Sequence, residues 1–155
     1  MIRIGRLTDY AIVIASYCAH LPDRVHSAAE IAEQVGIQLP TVRKILKRLT
    51  RVGIFRSVRG VQGGYRLARP PEEISLAEII TAMEGPIGLT VCSAGIECEQ
   101  APRCPMQSHW QLISQTVERA LEAVKLDQLR EVPIQMVKDP KSLRAEATVE
   151  RGGSR

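Results

Sequence analysis

Leu39-Pro40-Thr41-Val42-Arg43-Lys44-Ile45-Leu46-Lys47-Arg48-Leu49-Thr50-Arg51 carries the pattern that decides the fold. Val42, Ile45, Leu46 and Leu49 fall at i, i+3, i+4 and i+7, one apolar face of an α-helix. Thr41, Arg43, Lys44, Lys47, Arg48 and Arg51 cover the other side. Pro40 suits a first turn, where its missing N–H has no helical partner to lose. Just upstream, Ser27-Ala28-Ala29-Glu30 reads as a capping box. It opens a short helix with Ile31, Ala32 and Val35 inward, and Gly36 stops it. Two short helices about a glycine turn, the second basic outside, predict a helix-turn-helix. Further back, Thr8 or Asp9 is expected to cap a first helix running through Ala11, Ile14, Ala15 and Cys18 to about His20.

Downstream, Gly53 ends the basic helix, and residues 54–58 and 65–68 read as two short strands. Gly60, Gly63 and Gly64 lie between or beside them and suit a tight hairpin. A hairpin directly after such a helix is a wing. Ser75-Leu76-Ala77-Glu78 is a second capping box, opening a helix to about Glu84 that Gly85-Pro86 breaks. A long helix is expected from about Pro105 to Leu126, with Trp110, Ile113, Val117, Ala120, Leu121 and Val124 as an apolar stripe near a/d spacing. Such a stripe needs a partner, and its distance from the winged part points to a homodimer. The expected class is mainly α with a small β wing: a winged helix-turn-helix domain plus a long C-terminal dimerisation helix. Its parts are 1–86 for DNA binding, 87–104 as a cysteine loop, 105–132 for dimerisation and 133–155 as a disordered tail.

The net charge of +4 conceals an asymmetry. No Asp or Glu occurs from Gln34 to Pro71, a stretch holding Arg43, Lys44, Lys47, Arg48, Arg51, Arg56, Arg59, Arg66 and Arg69, while the rest is net acidic. A single-signed block on a folded pattern is an electrostatic footprint for nucleic acid. Double-stranded DNA fits the helix geometry. Thr41, Arg43, Lys44 and Lys47 are placed to reach base edges, and Arg48 and Arg51 to reach phosphates. Arg59, with Gln62, at the wing tip suits a minor groove. RNA stacking fits less well, since Phe55 and Tyr65 are the segment's only aromatics. No apolar run approaches the roughly 18 residues of a membrane helix and no secretory leader opens the chain, so a cytoplasmic protein without a membrane partner is expected. No Ser/His/Asp set, phosphate loop or paired carboxylates suggests an enzyme.

Cys92, Cys98 and Cys104 stand six residues apart in a segment with Gly95 and Pro102. The fourth cysteine, Cys18, continues an apolar helix face and reads as core. Clustered thiols in a cytosolic chain favour metal or redox chemistry over disulfides. Zinc, reduced structural thiols and a metal-free thiol switch are all open readings. The absence of a C-x-x-C pair weakens zinc. An iron–sulfur cluster suits three thiolates on a wrapping loop best. Arg103 and the start of the next helix, with Cys104 as its N-cap, would help keep Cys104 ionised. A fourth ligand must come from elsewhere: Asp9, if the subunits cross, or His109. Gln107, three residues past Cys104, is a poor ligand for iron.

Thr8-Asp9-Tyr10, the basic helix, Gly63-Gly64-Tyr65-Arg66-Leu67 and the cysteine triplet before a helix together resemble the Rrf-two family of winged-helix transcription regulators, of the IscR and NsrR type. Leu39-Pro40-Thr41-Val42 and Glu84-Gly85-Pro86-Ile87 look most like the branch that regulates SUF iron–sulfur assembly genes. The resemblance covers roughly residues 1–130 and implies a homodimeric repressor whose DNA affinity follows a bound [2Fe-2S] or [4Fe-4S] cluster. By it Cys92, Cys98 and Cys104 are ligands. IscR-type members add a histidine three residues after the last cysteine, where this chain has Gln107. NsrR-type members add an aspartate from the other subunit's first helix, which matches Asp9. The alternatives it leaves are an NsrR-like nitric-oxide sensor and, from another class, an iron–sulfur carrier.

Overall fold

The computed structural model describes residues 3–100 and 103–131. The chain folds as α1 (Arg6–Ala19), α2 (Ala28–Val35), α3 (Leu39–Arg51), β1 (Phe55–Val58), β2 (Gly64–Leu67), α4 (Leu76–Glu84) and α5 (Gln107–Ala123). Short 3-10 turns fall at Pro71–Glu73, Cys92–Ala94 and Gln128–Glu131. The expected mainly α chain with a small β wing is what forms.

The core is mainly aliphatic, in keeping with an aromatic content of only 3%. Ala11, Ile14, Ala15 and Cys18 from α1 meet Ile31 from α2 and Val42, Ile45, Leu46 and Leu49 from α3. Ile54, Phe55, Leu67, Ile74 and Ile79 close the cluster. The four apolar residues of α3 are all 0% exposed, so its periodicity is fully used. At its end the Ile54 N–H donates to the Leu49 carbonyl and the Gly53 N–H to the Thr50 carbonyl, with Gly53 at φ 78°. That pairing satisfies two terminal carbonyls and turns the chain into the wing.

β1 and β2 pair antiparallel, with Phe55 opposite Leu67 and Val58 opposite Gly64. The sequence does not announce a third participant. His26 bridges Tyr65 through two backbone hydrogen bonds of 2.8 Å. A Cβ at Gly64 would stand 2.3 Å from the His26 carbonyl oxygen, so only glycine permits this approach.

Several local expectations need correction. α1 begins at Arg6, with Gly5 as N-cap, rather than at Thr8 or Asp9. This end is tied to α4: the Gly5 N–H and the Thr8 hydroxyl donate to Glu84 Oε1 at 2.7 and 2.6 Å. At Ser27 only half of a capping box forms. Ser27 Oγ accepts from the Glu30 N–H, but the Glu30 carboxylate lies 2.7 Å from Arg24. The box at Ser75 and Glu78 is complete.

The helix expected over 105–126 is shorter at both ends. Met106, not Cys104, is its N-cap, and it stops at Ala123. Val124 is extended because the chain there returns to pair with the start of α4. The Leu76 N–H donates to the Val124 carbonyl and the Leu126 N–H to the Ile74 carbonyl, both at 2.9 Å. Leu126 enters the core at 0% exposure. The described segment after α5 is thus joined to the winged core through Val124 and Leu126. The expected disordered tail, 133–155, lies outside the described residues.

Candidate nucleic-acid interface and cysteine loop

The outward side of α3 is a cationic face. Arg43, Lys44, Lys47, Arg48 and Arg51 are exposed and Thr41 is half-buried. Among the described residues none of these five cations is ion-paired; the Arg ion pairs there are Arg24 with Glu30 and Arg69 with Glu78. Arg59 and Gln62 are exposed at the wing turn, beside Val61, whose side chain projects fully into solvent. In that turn the Gly63 N–H donates to the Gly60 carbonyl, with Gly60 at φ 119°. All eight residues expected at a DNA interface thus fall on α3 or the wing tip. Arg69 leaves the basic block for a structural task. Its guanidinium binds Glu78 and the Glu73 carbonyl, tying the wing's exit to the start of α4.

Burial pushes the Glu78 carboxyl up, but the Arg69 guanidinium and the Ser75 N–H outweigh it, leaving its pKa below the ordinary Glu value. The Thr8 hydroxyl and the Gly5 N–H likewise hold Glu84 low. Burial, with Glu30 nearby, drives the Cys18 thiol up to about 12. That thiol is 1% exposed, so Cys18 is a core side chain and an inert nucleophile.

The other three cysteines are free and half-buried. Cys92 and Cys98 line one open cleft of about 650 Å³ together with Gly95, Ile96, Glu97, Glu99 and Gln107. Cys104 is not among the residues lining it, and among the described residues no group of three potential ligands stands close enough to hold a metal ion. The fold thus places two of the three cysteines on one opening, with Gln107, the first residue of α5, on its wall. Asp9 is exposed on α1 and lines a separate hollow with Arg3, Ile4, Gly5 and Arg6. His109 is exposed and outside the thiol cleft. Pro102 lies outside the described residues.

Three soft donors on thirteen residues of loop, two facing one cleft large enough for an inorganic core, suit an iron–sulfur cluster by donor chemistry. The loop's start is fixed by contacts the sequence does not signal. A Cβ at Gly88 would stand 2.5 Å from the Ala94 nitrogen, so residue 88 lies flat on the turn that carries Cys92. Ser114, the one buried residue of α5, accepts a hydrogen bond from the Leu89 N–H at 3.1 Å.

A cationic helix and wing on an aliphatic three-helix core, followed by a thiol-bearing loop and a further helix, define a winged-helix DNA-binding regulator. The comparisons agree. Residues 4–131 match the model of Rrf2, described as an iron-dependent transcriptional regulator. The chain is 30% identical over 118 residues to the HTH-type transcriptional regulator IscR of Aliivibrio salmonicida, covering 76% of this chain and 70% of that one. It is 31% identical over 129 residues to the protein aau3 of Rhizobium meliloti, covering 82% and 84%. Among solved structures, CymR of B. subtilis, a global cysteine regulator, superposes with TM-score 0.67 at 26% identity, over 84% of this chain and 97% of that one. IscR of T. potens gives 0.65 at 26%, over 91% and 96%. The chain belongs to the Rrf2 (Rrf-two) family. It is a DNA-binding transcription regulator and not an enzyme. Among the described residues no helix is long and apolar enough to cross a membrane.

Proposed function

We propose that this protein is a cytoplasmic, homodimeric repressor of iron–sulfur cluster assembly genes, its affinity for operator DNA set by an iron–sulfur cluster. Cys92, Cys98 and Cys104 hold that cluster, and Asp9 from the other subunit is the preferred fourth ligand, with His109 second. The observation that carries the reading is the pair of half-buried thiols, Cys92 and Cys98, on one cleft in a chain that also presents an unpaired cationic helix.

A homodimer is supported by the outer side of α5. Leu112 and Ile113 are 62% and 41% exposed. Trp110, Val117 and Leu121 line a groove of about 530 Å³ with Ile4, Ile80 and Ile87. Apolar surface of this kind calls for a covering subunit. Two copies then present two α3 helices, which must meet half-sites about 34 Å apart, one duplex turn. Lys44 and Arg43 supply base contacts, while Arg48 and Arg51 neutralise phosphates.

The bound cluster supplies a metal centre whose presence and oxidation state change with iron and oxidant supply. Gaining or losing it regulates only if the two states differ in DNA affinity. The loop is joined to α5 through Ser114, and α5 is joined to the winged core through Leu126, so a rearrangement at Cys92 has a covalent and packed route to α3. Anaerobic purification with iron and sulfide assays and a visible spectrum tests the reading. Brown protein with equal iron and sulfide is the expected result, and their amount per subunit separates [2Fe-2S] from [4Fe-4S]. Protein that stays colourless after anaerobic reconstitution, or that takes zinc, overturns the cluster and leaves a DNA-binding regulator.

A further inference from the structure

The hydroxyls around Cys92 form a closed circuit whose hydrogen-bond directions can be counted. A serine or threonine hydroxyl has one proton to give and two lone pairs to accept with. Ser93 Oγ gives its proton to the Thr90 carbonyl at 3.0 Å. Its two lone pairs accept from the Thr90 N–H at 3.0 Å and from the Ser114 hydroxyl at 2.9 Å. Ser114 Oγ in turn accepts from the Leu89 N–H at 3.1 Å. Thr90 Oγ1 stands 2.9 Å from Ser93 Oγ and 3.3 Å from Cys92 Sγ. With Ser93 Oγ full and Cys92 ionised, as a ligating sulfur is, the Thr90 proton has one acceptor left among the described residues, the Cys92 sulfur.

The geometry points to Thr90 as a positioning residue that donates a hydrogen bond to the sulfur of Cys92, with Ser93 and the buried Ser114 fixing its direction from α5. The inference rests on the cluster reading above, because its consequence is electrochemical. A donor to a ligating sulfur stabilises the extra negative charge of the reduced cluster and raises its reduction potential. Ser114 makes the donor directional. Without it Ser93 regains a lone pair, and Thr90 can turn its proton to Ser93 instead of to sulfur.

The test is the midpoint potential of the reconstituted full-length protein, measured for wild type, Thr90→Val, Thr90→Ser and Ser114→Ala. Thr90→Val keeps the shape and removes the proton. It is expected to make reduction about tenfold less favourable, ~59 mV lower for one electron. Thr90→Ser restores the donor and is expected to return to the wild-type value. Ser114→Ala is expected to fall between them and to speed hydrogen exchange at the Leu89 amide, in the metal-free protein as well. A Thr90→Val protein that binds its cluster at the wild-type potential overturns the inference while leaving the cluster reading intact. So does a Thr90→Ser protein that behaves like Thr90→Val. Should Thr90→Val fail to load, Ser114→Ala decides alone: a wild-type potential and an unchanged Leu89 amide overturn it. A colourless wild type is the failure of the cluster reading itself, and the tuning role falls with it.

Discussion

α3 and the cysteine loop both display the side chains that function needs, but they are held in opposite ways. α3 sinks four aliphatic side chains to 0% exposure and closes with a glycine-dependent cap, so its cations are carried on a rigid rod. Between Gly85 and Ile113 no described residue is buried. The loop is held at its start by the Thr90, Ser93 and Ser114 hydroxyls and by the flat contact at Gly88. In the proposed function α3 meets DNA in the same form each time, whereas the loop rearranges when a cluster comes or goes. Segments with few buried contacts open locally at low free energy, and the chain places its thiols in such a segment.

The sharpest break in this comparison is chemical. In metal-free native protein at about pH 8, the three loop thiols are expected to react with an alkylating reagent while Cys18, buried and shifted to about 12, reacts at least ~10³-fold more slowly. Peptide mass spectrometry over time reads each site. Comparable rates at all four cysteines would mean that the core around α1 opens as readily as the loop.

Stability gives the next largest contrast. Leu46→Ala is expected to cost about 2–5 kcal/mol, since it empties a site with no exposure. Cys98→Ala in the metal-free protein is expected to stay within about 0.5 kcal/mol. Urea denaturation of both checks the pair, and equal losses would erase the distinction between rod and loop. The same Cys98→Ala protein should lack the cluster's visible absorption while remaining folded.

On the DNA side, Lys44→Ala is expected to cost about 1–3 kcal/mol in specific binding, with little change against random duplex, if Lys44 reads bases. A loss equal on both duplexes would make it a phosphate contact. Arg51→Ala is the counterpart, expected to weaken both alike and to reduce the salt dependence.

The smallest effect is at the other end of the rod's support. The Thr8 hydroxyl and the Gly5 N–H keep the folded Glu84 carboxyl below its unfolded value. A depressed carboxyl gives stability that is present above the unfolded pKa, about 4.3, and is lost as pH falls through the folded value. Glu84→Gln is therefore expected to flatten the acid limb of Tm against pH without changing the neutral plateau much. An unchanged acid limb would show that this link between α1 and α4 contributes nothing measurable.

What could be read in the sequence follows from how local its cause is. The apolar period of α3, the box at Ser75 and Glu78 and the wing glycines are each encoded within a few residues, and each formed. The features that escaped reading depend on partners far along the chain. Glu84 caps α1 from more than seventy positions away. His26 joins the wing because Gly64 leaves room for its carbonyl. Leu126 ends the last helix early because the core takes it. In the site, residue types pointed to the three thiols, yet spacing along a loop does not fix where a loop turns. Cys92 and Cys98 reach one cleft and Cys104 does not line it. The Thr90, Ser93 and Ser114 circuit left no pattern in the sequence, since serines and threonines on loops and helices are ordinary.

Coupling between the cysteine loop and DNA binding is read most directly as the affinity of cluster-loaded and cluster-free protein for the same operator duplex, by anaerobic fluorescence anisotropy at one fixed salt concentration. Affinities at least about tenfold apart are expected, equivalent to ~1.4 kcal/mol of coupling between the loop and α3. Equal affinities would contradict the proposed coupling between the cysteine loop and DNA binding.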